Sequence, residues 1–134
     1  MTKLKFIRPK TFDQEIHRAG WNWVMKFLYE KYHDNDAEVY VDDFIERTFD
    51  WDYEENRKKE LPHHTHKWIG FIHNPFTVTK PFDIKASALS IVSRISFLKA
   101  LKNCKGLYTL SEDLADSLRY LLDSVGCFYV NVEA

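Results

Sequence analysis

The chain has 134 residues, 45% hydrophobic and 16% aromatic, which suits one folded domain over residues 1–134 and excludes a disordered chain. Its formal net charge of −1 excludes the strong basic excess of a dedicated nucleic-acid binder. Cys104 and Cys127 are too few for a disulfide scaffold and too far apart for a CxxC motif, and no apolar run forms a signal segment or reaches the ~18 residues of a transmembrane segment, so a cytoplasmic protein with free thiols is expected.

Residues 4–8 (LKFIR) predict a short strand closed by Pro9. Ile16, Trp23, Val24, Phe27, Leu28 and Tyr32 recur at helical spacing and predict the first helix. Gly20 either starts that helix or marks a close contact, because an interior glycine costs about 1 kcal/mol relative to alanine. Residues 37–45 (AEVYVDDFI) carry the β-branched and aromatic side chains of a second strand. Residues 53–60 (YEENRKKE) are polar all round, a surface helix or loop. Residues 68–72 (WIGFI) show no polar alternation and fit a strand covered on both faces.

Residues 74–83, with two prolines and no period, predict a loop. Across residues 84–103, Ile84, Ala88, Ile91, Val92, Ile95, Leu98 and Leu101 fall three to four apart and predict one long helix. Residues 104–106 (CKG) end it, with Gly106 in the left-handed conformation and Lys105 complementing the helix dipole. Residues 107–110 (LYTL) predict a buried strand. Ser111 is the expected N-cap of the next helix, with Glu112 and Asp113 in its first turn and a stripe of Leu114, Leu118, Leu121 and Leu122. Gly126 closes that helix, and residues 127–132 (CFYVNV) predict the last strand.

This alternation predicts an α/β fold: an open, mainly parallel sheet of about five strands with helices on both faces, Rossmann-like in class. Such sheets bind ligands outside the carboxyl ends of their strands, near a switch in strand order. That edge comprises residues 8–11, 44–47, 73–76 and 111–112, and it includes His73.

Two further patterns carry chemistry. Residues 34–55 hold ten of the twenty acids and one base, Arg47, which reads as a solvated face, a docking face for a partner protein, or, through Asp42, Asp43 and Glu46, a divalent-cation site. Trp51 between two aspartates is a candidate exposed platform for a sugar or a partner. His63, His64 and His66 raise the question of zinc, but their spacing matches no strong signature and no metal is assigned. Ser111 reads as a cap and not a nucleophile, since its surroundings (TLSED) are not a GxSxG elbow. The helix start it caps, and Arg18 with Gly20, are candidate anion contacts.

Residues 68–76 (WIGFIHNPF), followed by a helix ending in FLKALKNCKG and then by LYTLSEDLADSL, resemble the amino-terminal Rossmann-like domain of GT-B glycosyltransferases. Residues 17–28 (HRAGWNWVMKFL) are similar to that domain's glycine-containing loop and first helix. The resemblance implies a glycosyltransferase-like, carbohydrate-related domain with substrate-binding positions at His73, Asn74, Ser111, Glu112, Arg18 and Gly20, and a catalytic histidine at His73. It implies a sugar acceptor and a second Rossmann-like domain or subunit as partners. The chain itself would need no cofactor, because 134 residues leave no room for the family's donor-binding domain, and a nucleotide-sugar would enter only with that domain. The alternative is a small non-catalytic α/β interaction module docking through its acidic segment 34–55.

Overall fold

The computed structural model describes residues 3–7, 19–51, 61–73, 88–92, 94–124, 126 and 130–134. The expected segments 53–60 and 74–83 lie outside these residues. Five parallel strands form one open sheet in the order of the chain: β1 (Lys5–Phe6), β2 (Tyr40–Asp42), β3 (Trp68–Ile72), β4 (Cys104–Thr109) and β5 (Val132–Glu133). The expected switch in strand order is therefore absent among the described strands, and the carboxyl edge is defined by strand direction alone. The helices are α1 (Ala19–Tyr32), α2 (Pro62–Thr65), α3 (Ala88–Val92), α4 (Ile95–Ala100) and α5 (Glu112–Ser124), with a π-helical turn at Arg47–Trp51 and a 3₁₀ turn at Leu101–Asn103. None is long and apolar enough to cross a membrane.

The alternation of β3 divides the core in two. Trp68 and Ile72 face a cluster with Phe97, Ala100, Leu107, Leu118 and Val132, so α4 and α5 cover that side. Ile69 and Phe71 face the other way, toward Met25, Trp21, Phe6 and Val41, so α1 covers the opposite side. A run apolar at every position is what a doubly covered strand requires. Because the strands are parallel and sequential, the β1–α1–β2 crossover has the opposite hand to β3–α4–β4 and β4–α5–β5, a rare arrangement given the strong right-handed preference. Trp68 anchors the larger side, fully buried, with its indole N–H donating to the Ala100 carbonyl at 2.8 Å. Burying side chains of this kind stabilises by about 1.5–3 kcal/mol each.

Both outer edges of the sheet are occupied, that of β1 by the backbone of residues 32–34 and the His33 ring, that of β5 by the Arg119 side chain. On β1, the Leu4 N–H donates to the Tyr32 carbonyl, the Asp34 N–H donates to the Leu4 carbonyl, and the Phe6 N–H donates to His33 Nδ1 at 3.3 Å. On β5, the Asn131 carbonyl faces β4, so the Val132 carbonyl faces outward; Arg119 of α5 donates to it from Nε at 3.0 Å and Nη2 at 2.6 Å. Occupied edge groups offer no template to another strand.

Several elements differ from expectation, among them the last strand, expected over residues 127–132, which is Val132–Glu133, with residues 127–129 outside the described residues. The second strand stops at Asp42 because the Asp42 carboxylate accepts the Phe44 N–H at 3.0 Å, turning the chain three residues early. The long helix over residues 84–103 is divided, with Arg94 extended (φ −82°, ψ 138°) between α3 and α4 and its guanidinium donating to the Phe49 carbonyl. Cys104 to Gly106 belong to β4, and Gly106 is not in the left-handed region. The helix instead ends in the 3₁₀ turn before Cys104. At Gly126, φ is +82°, the conformation expected where α5 closes.

Candidate functional site

The carboxyl edge brings together the start of α1, the turn after β2, the end of β3 and the start of α5. His73 follows β3 directly and is buried. Its backbone N–H donates to Glu46 Oε2 at 2.9 Å, and its Nε2 lies 2.9 Å from the Asp43 carbonyl, to which it donates as the Nε2–H tautomer. The ring stacks on Phe44 (3.9 Å between centroids, 14°) and meets the Trp21 ring edge-on at 4.4 Å. The Trp21 indole N–H also donates to the Asp43 carbonyl, at 3.2 Å. A single carbonyl thus receives donors from α1 and from the end of β3. This fastens α1 and the residue 43–47 turn to the central strand.

His73 therefore stands at the expected edge, but its ring faces into protein. In this arrangement its chemical contribution is positional: it sets the turn that carries Glu46 and Arg47. Arg47 lies over the Phe44 ring (5.5 Å) with its Nη1 3.8 Å from Asp43 Oδ2. Ser111 is the N-cap, its Oγ accepting the Leu114 N–H at 3.2 Å, and Glu112 in the first turn of α5 is exposed, 3.8 Å from Arg119. Gly20 is the second residue of α1, at the helix start. Arg18 and Asn74 lie outside the described residues, as does the environment of the Trp51 side chain.

The acidic segment is not uniformly a solvated face. Asp42, Asp43 and Glu46 are buried, 2%, 3% and 0% exposed. Asp36 and Glu38 are exposed, and Asp34 is partly exposed. Asp42 is the centre of a buried polar group whose members lie far apart in the chain. Its Oδ1 accepts the Phe44 N–H, and its Oδ2 accepts the Thr48 hydroxyl at 2.7 Å and His63 Nε2–H at 2.7 Å. His63 is 1% exposed, packed edge-on against Phe49 (5.5 Å) and Trp68 (4.7 Å). Its Nδ1 has no hydrogen-bond partner among the described residues. Asn103 donates to the His63 and His64 carbonyls at 3.3 and 2.8 Å, holding the short helix α2 from the other side.

The three histidines therefore separate by environment. His63 is a core hydrogen-bond donor, whereas His64 and His66 are exposed. Among the described residues no three His, Cys, Asp or Glu side chains converge as metal ligands. The available signal for the Asp42–His63 pair was a carboxylate at a strand end followed by a histidine just before the next strand, a pattern too common to distinguish from a turn. Cys104 is buried in the same core, and burial pushes its thiol up to about 12. The chain matches no protein-family model, no curated protein and no solved structure.

Proposed function

We propose that the chain is an acceptor-side, Rossmann-like domain of GT-B glycosyltransferase type, and that sugar transfer requires a donor-binding domain from outside these 134 residues. One observation carries the reading. The two segments that resemble the family form adjacent parallel strands, β3 and β4, whose carboxyl ends present His73 and Ser111 on the same edge. In this reading the acceptor rests between the residue 43–47 turn, the end of β3 and the start of α5. His73 holds the turn in place, and free backbone N–H groups of α5 supply donors. Deprotonating the acceptor hydroxyl as the donor bond breaks falls to a group completed by the second domain, since the His73 ring is engaged with Asp43 and Phe44.

The test is turnover. Purified chain incubated with a panel of nucleotide-sugars and methyl glycosides is expected to give neither transfer nor hydrolysis, and mixing with a donor-domain partner is expected to give transfer. Sustained turnover by the chain alone overturns the half-enzyme reading. The alternative is a protein-interaction module docking through segment 34–55; among the described residues its exposed or partly exposed acids are Asp34, Asp36 and Glu38, because Asp42, Asp43 and Glu46 are buried. Loss of a copurifying partner in the D34N/D36N/E38Q variant, with no saccharide response, favours it.

A further inference from the structure

Helix α1 is apolar on two sides. Trp21, Met25, Leu28 and Tyr29 pack toward the sheet, while Trp23, Val24 and Phe27 point outward, 76%, 44% and 60% exposed. A helix inside a soluble domain usually turns charge to the water side. Here exposed Lys31 lies on the same outward face one turn beyond Phe27, and exposed Lys26 lies beyond the Trp23 side of the stripe with Glu30, the single acid of the helix, between them. The Lys31 ammonium lies 5.7 Å from the Phe27 ring centroid and 5.6 Å from that of Tyr32, so its stem runs along the aromatic surface. The charge of the whole chain is divided in the same sense: residues 1–32 contain seven Lys or Arg against three Asp or Glu, and the rest contain twelve against seventeen.

We propose that the outer face of α1 docks on an anionic lipid surface, with Trp23 and Phe27 entering the headgroup region and Lys26 and Lys31 meeting lipid phosphates. Two features favour lipid over a protein partner. The patch is a convex helix face of two aromatic rings, roughly 150–250 Å² each, and one valine. That falls short of the roughly 800 Å² per partner of a stable protein interface. It suffices for interfacial binding, which scales with inserted apolar area and is strengthened by lysines near anionic lipid. The face is on the α1 side of the sheet and stands independently of acceptor binding at the carboxyl edge.

The experiment is co-sedimentation of the full chain with vesicles of phosphatidylcholine, with and without phosphatidylglycerol. Binding is expected to the mixed vesicles, to weaken with added salt, and to fall about tenfold in W23Q/F27Q and in K26Q/K31Q. Unchanged circular dichroism of both variants would show that folding is intact, as expected for exposed positions. No co-sedimentation, equal binding to phosphatidylcholine alone, or full binding by W23Q/F27Q would each overturn the proposal. Self-association abolished by W23Q/F27Q, without vesicle binding, would overturn it in favour of a second copy of the chain.

Discussion

Replacing Asp42 by asparagine (D42N) tests the interior polar group most sharply, because it changes hydrogen-bond direction at nearly constant volume. The Asp42 carboxylate accepts from the Phe44 N–H, the Thr48 hydroxyl and His63 Nε2–H. If the new amide oxygen keeps the Phe44 N–H, its NH₂ faces Thr48 and His63. Thr48 can rotate to accept. His63 must move its proton to Nδ1, which has no partner among the described residues and sits among Phe49 and Trp68. One buried donor is then unsatisfied, a cost of about 1–3 kcal/mol. His63→Ala loses a bond to a charged acceptor, about 1.5–3 kcal/mol, and also opens a cavity beside two large rings, so its total is expected to exceed about 3 kcal/mol. Since the two changes break the same contact, the double variant should be less destabilised than the sum by about 1 kcal/mol or more. Urea unfolding followed by tryptophan fluorescence measures all three. A D42N variant within about 0.5 kcal/mol of wild type, or strict additivity, would refute the assignment of this hydrogen bond.

Three further outcomes follow from packing and ionisation. Gly70→Ala places a Cβ 2.5 Å from Ile45 Cδ1 and 2.7 Å from the Trp68 ring, so chemical denaturation should show a loss of about 1–3 kcal/mol from overpacking; wild-type stability would mean that Ile45 relaxes freely. In a Cys127→Ser variant, Cys104 should resist alkylation until the chain unfolds. Its thiol is raised by burial to about 12, so the unfolded state loses this proton first and stability should fall as pH rises from about 9 toward about 12; thiolate absorbance appearing in folded protein near pH 9 would contradict this. Arg119→Ala frees the outward Val132 carbonyl on β5, and light scattering should report faster aggregation, whereas unchanged scattering would show that the short strand protects itself.

The parts of the fold that were legible in sequence are those governed by local pattern. Residues 68–72 declared a doubly covered strand through continuous apolar character. Ser111 declared its cap through position, and Gly126 its turn through conformational freedom. What was not legible depended on contacts distant in the chain. Asp42 stops β2 by bonding Phe44 and is held by His63, twenty-one residues away. Arg94 interrupts a perfectly periodic helix while reaching Phe49, forty-five residues away. The candidate site divides the same way. The edge position of His73 followed from strand direction, but its contacts with Asp43, Phe44 and Trp21 come from segments whose approach periodicity does not encode. The acidic segment misled for a related reason: counting charges cannot distinguish Asp36, which faces water, from Glu46, which accepts a backbone N–H in the interior.

The most direct test of the proposed acceptor role is amide chemical-shift mapping of the ¹⁵N-labelled chain titrated with methyl glycosides and short oligosaccharides. The account predicts saturable shifts confined to the carboxyl edge, at His73, Glu46, Ser111 and Glu112, with β5 and the outer face of α1 unaffected. Shifts absent across the whole panel, or centred away from that edge, would contradict it.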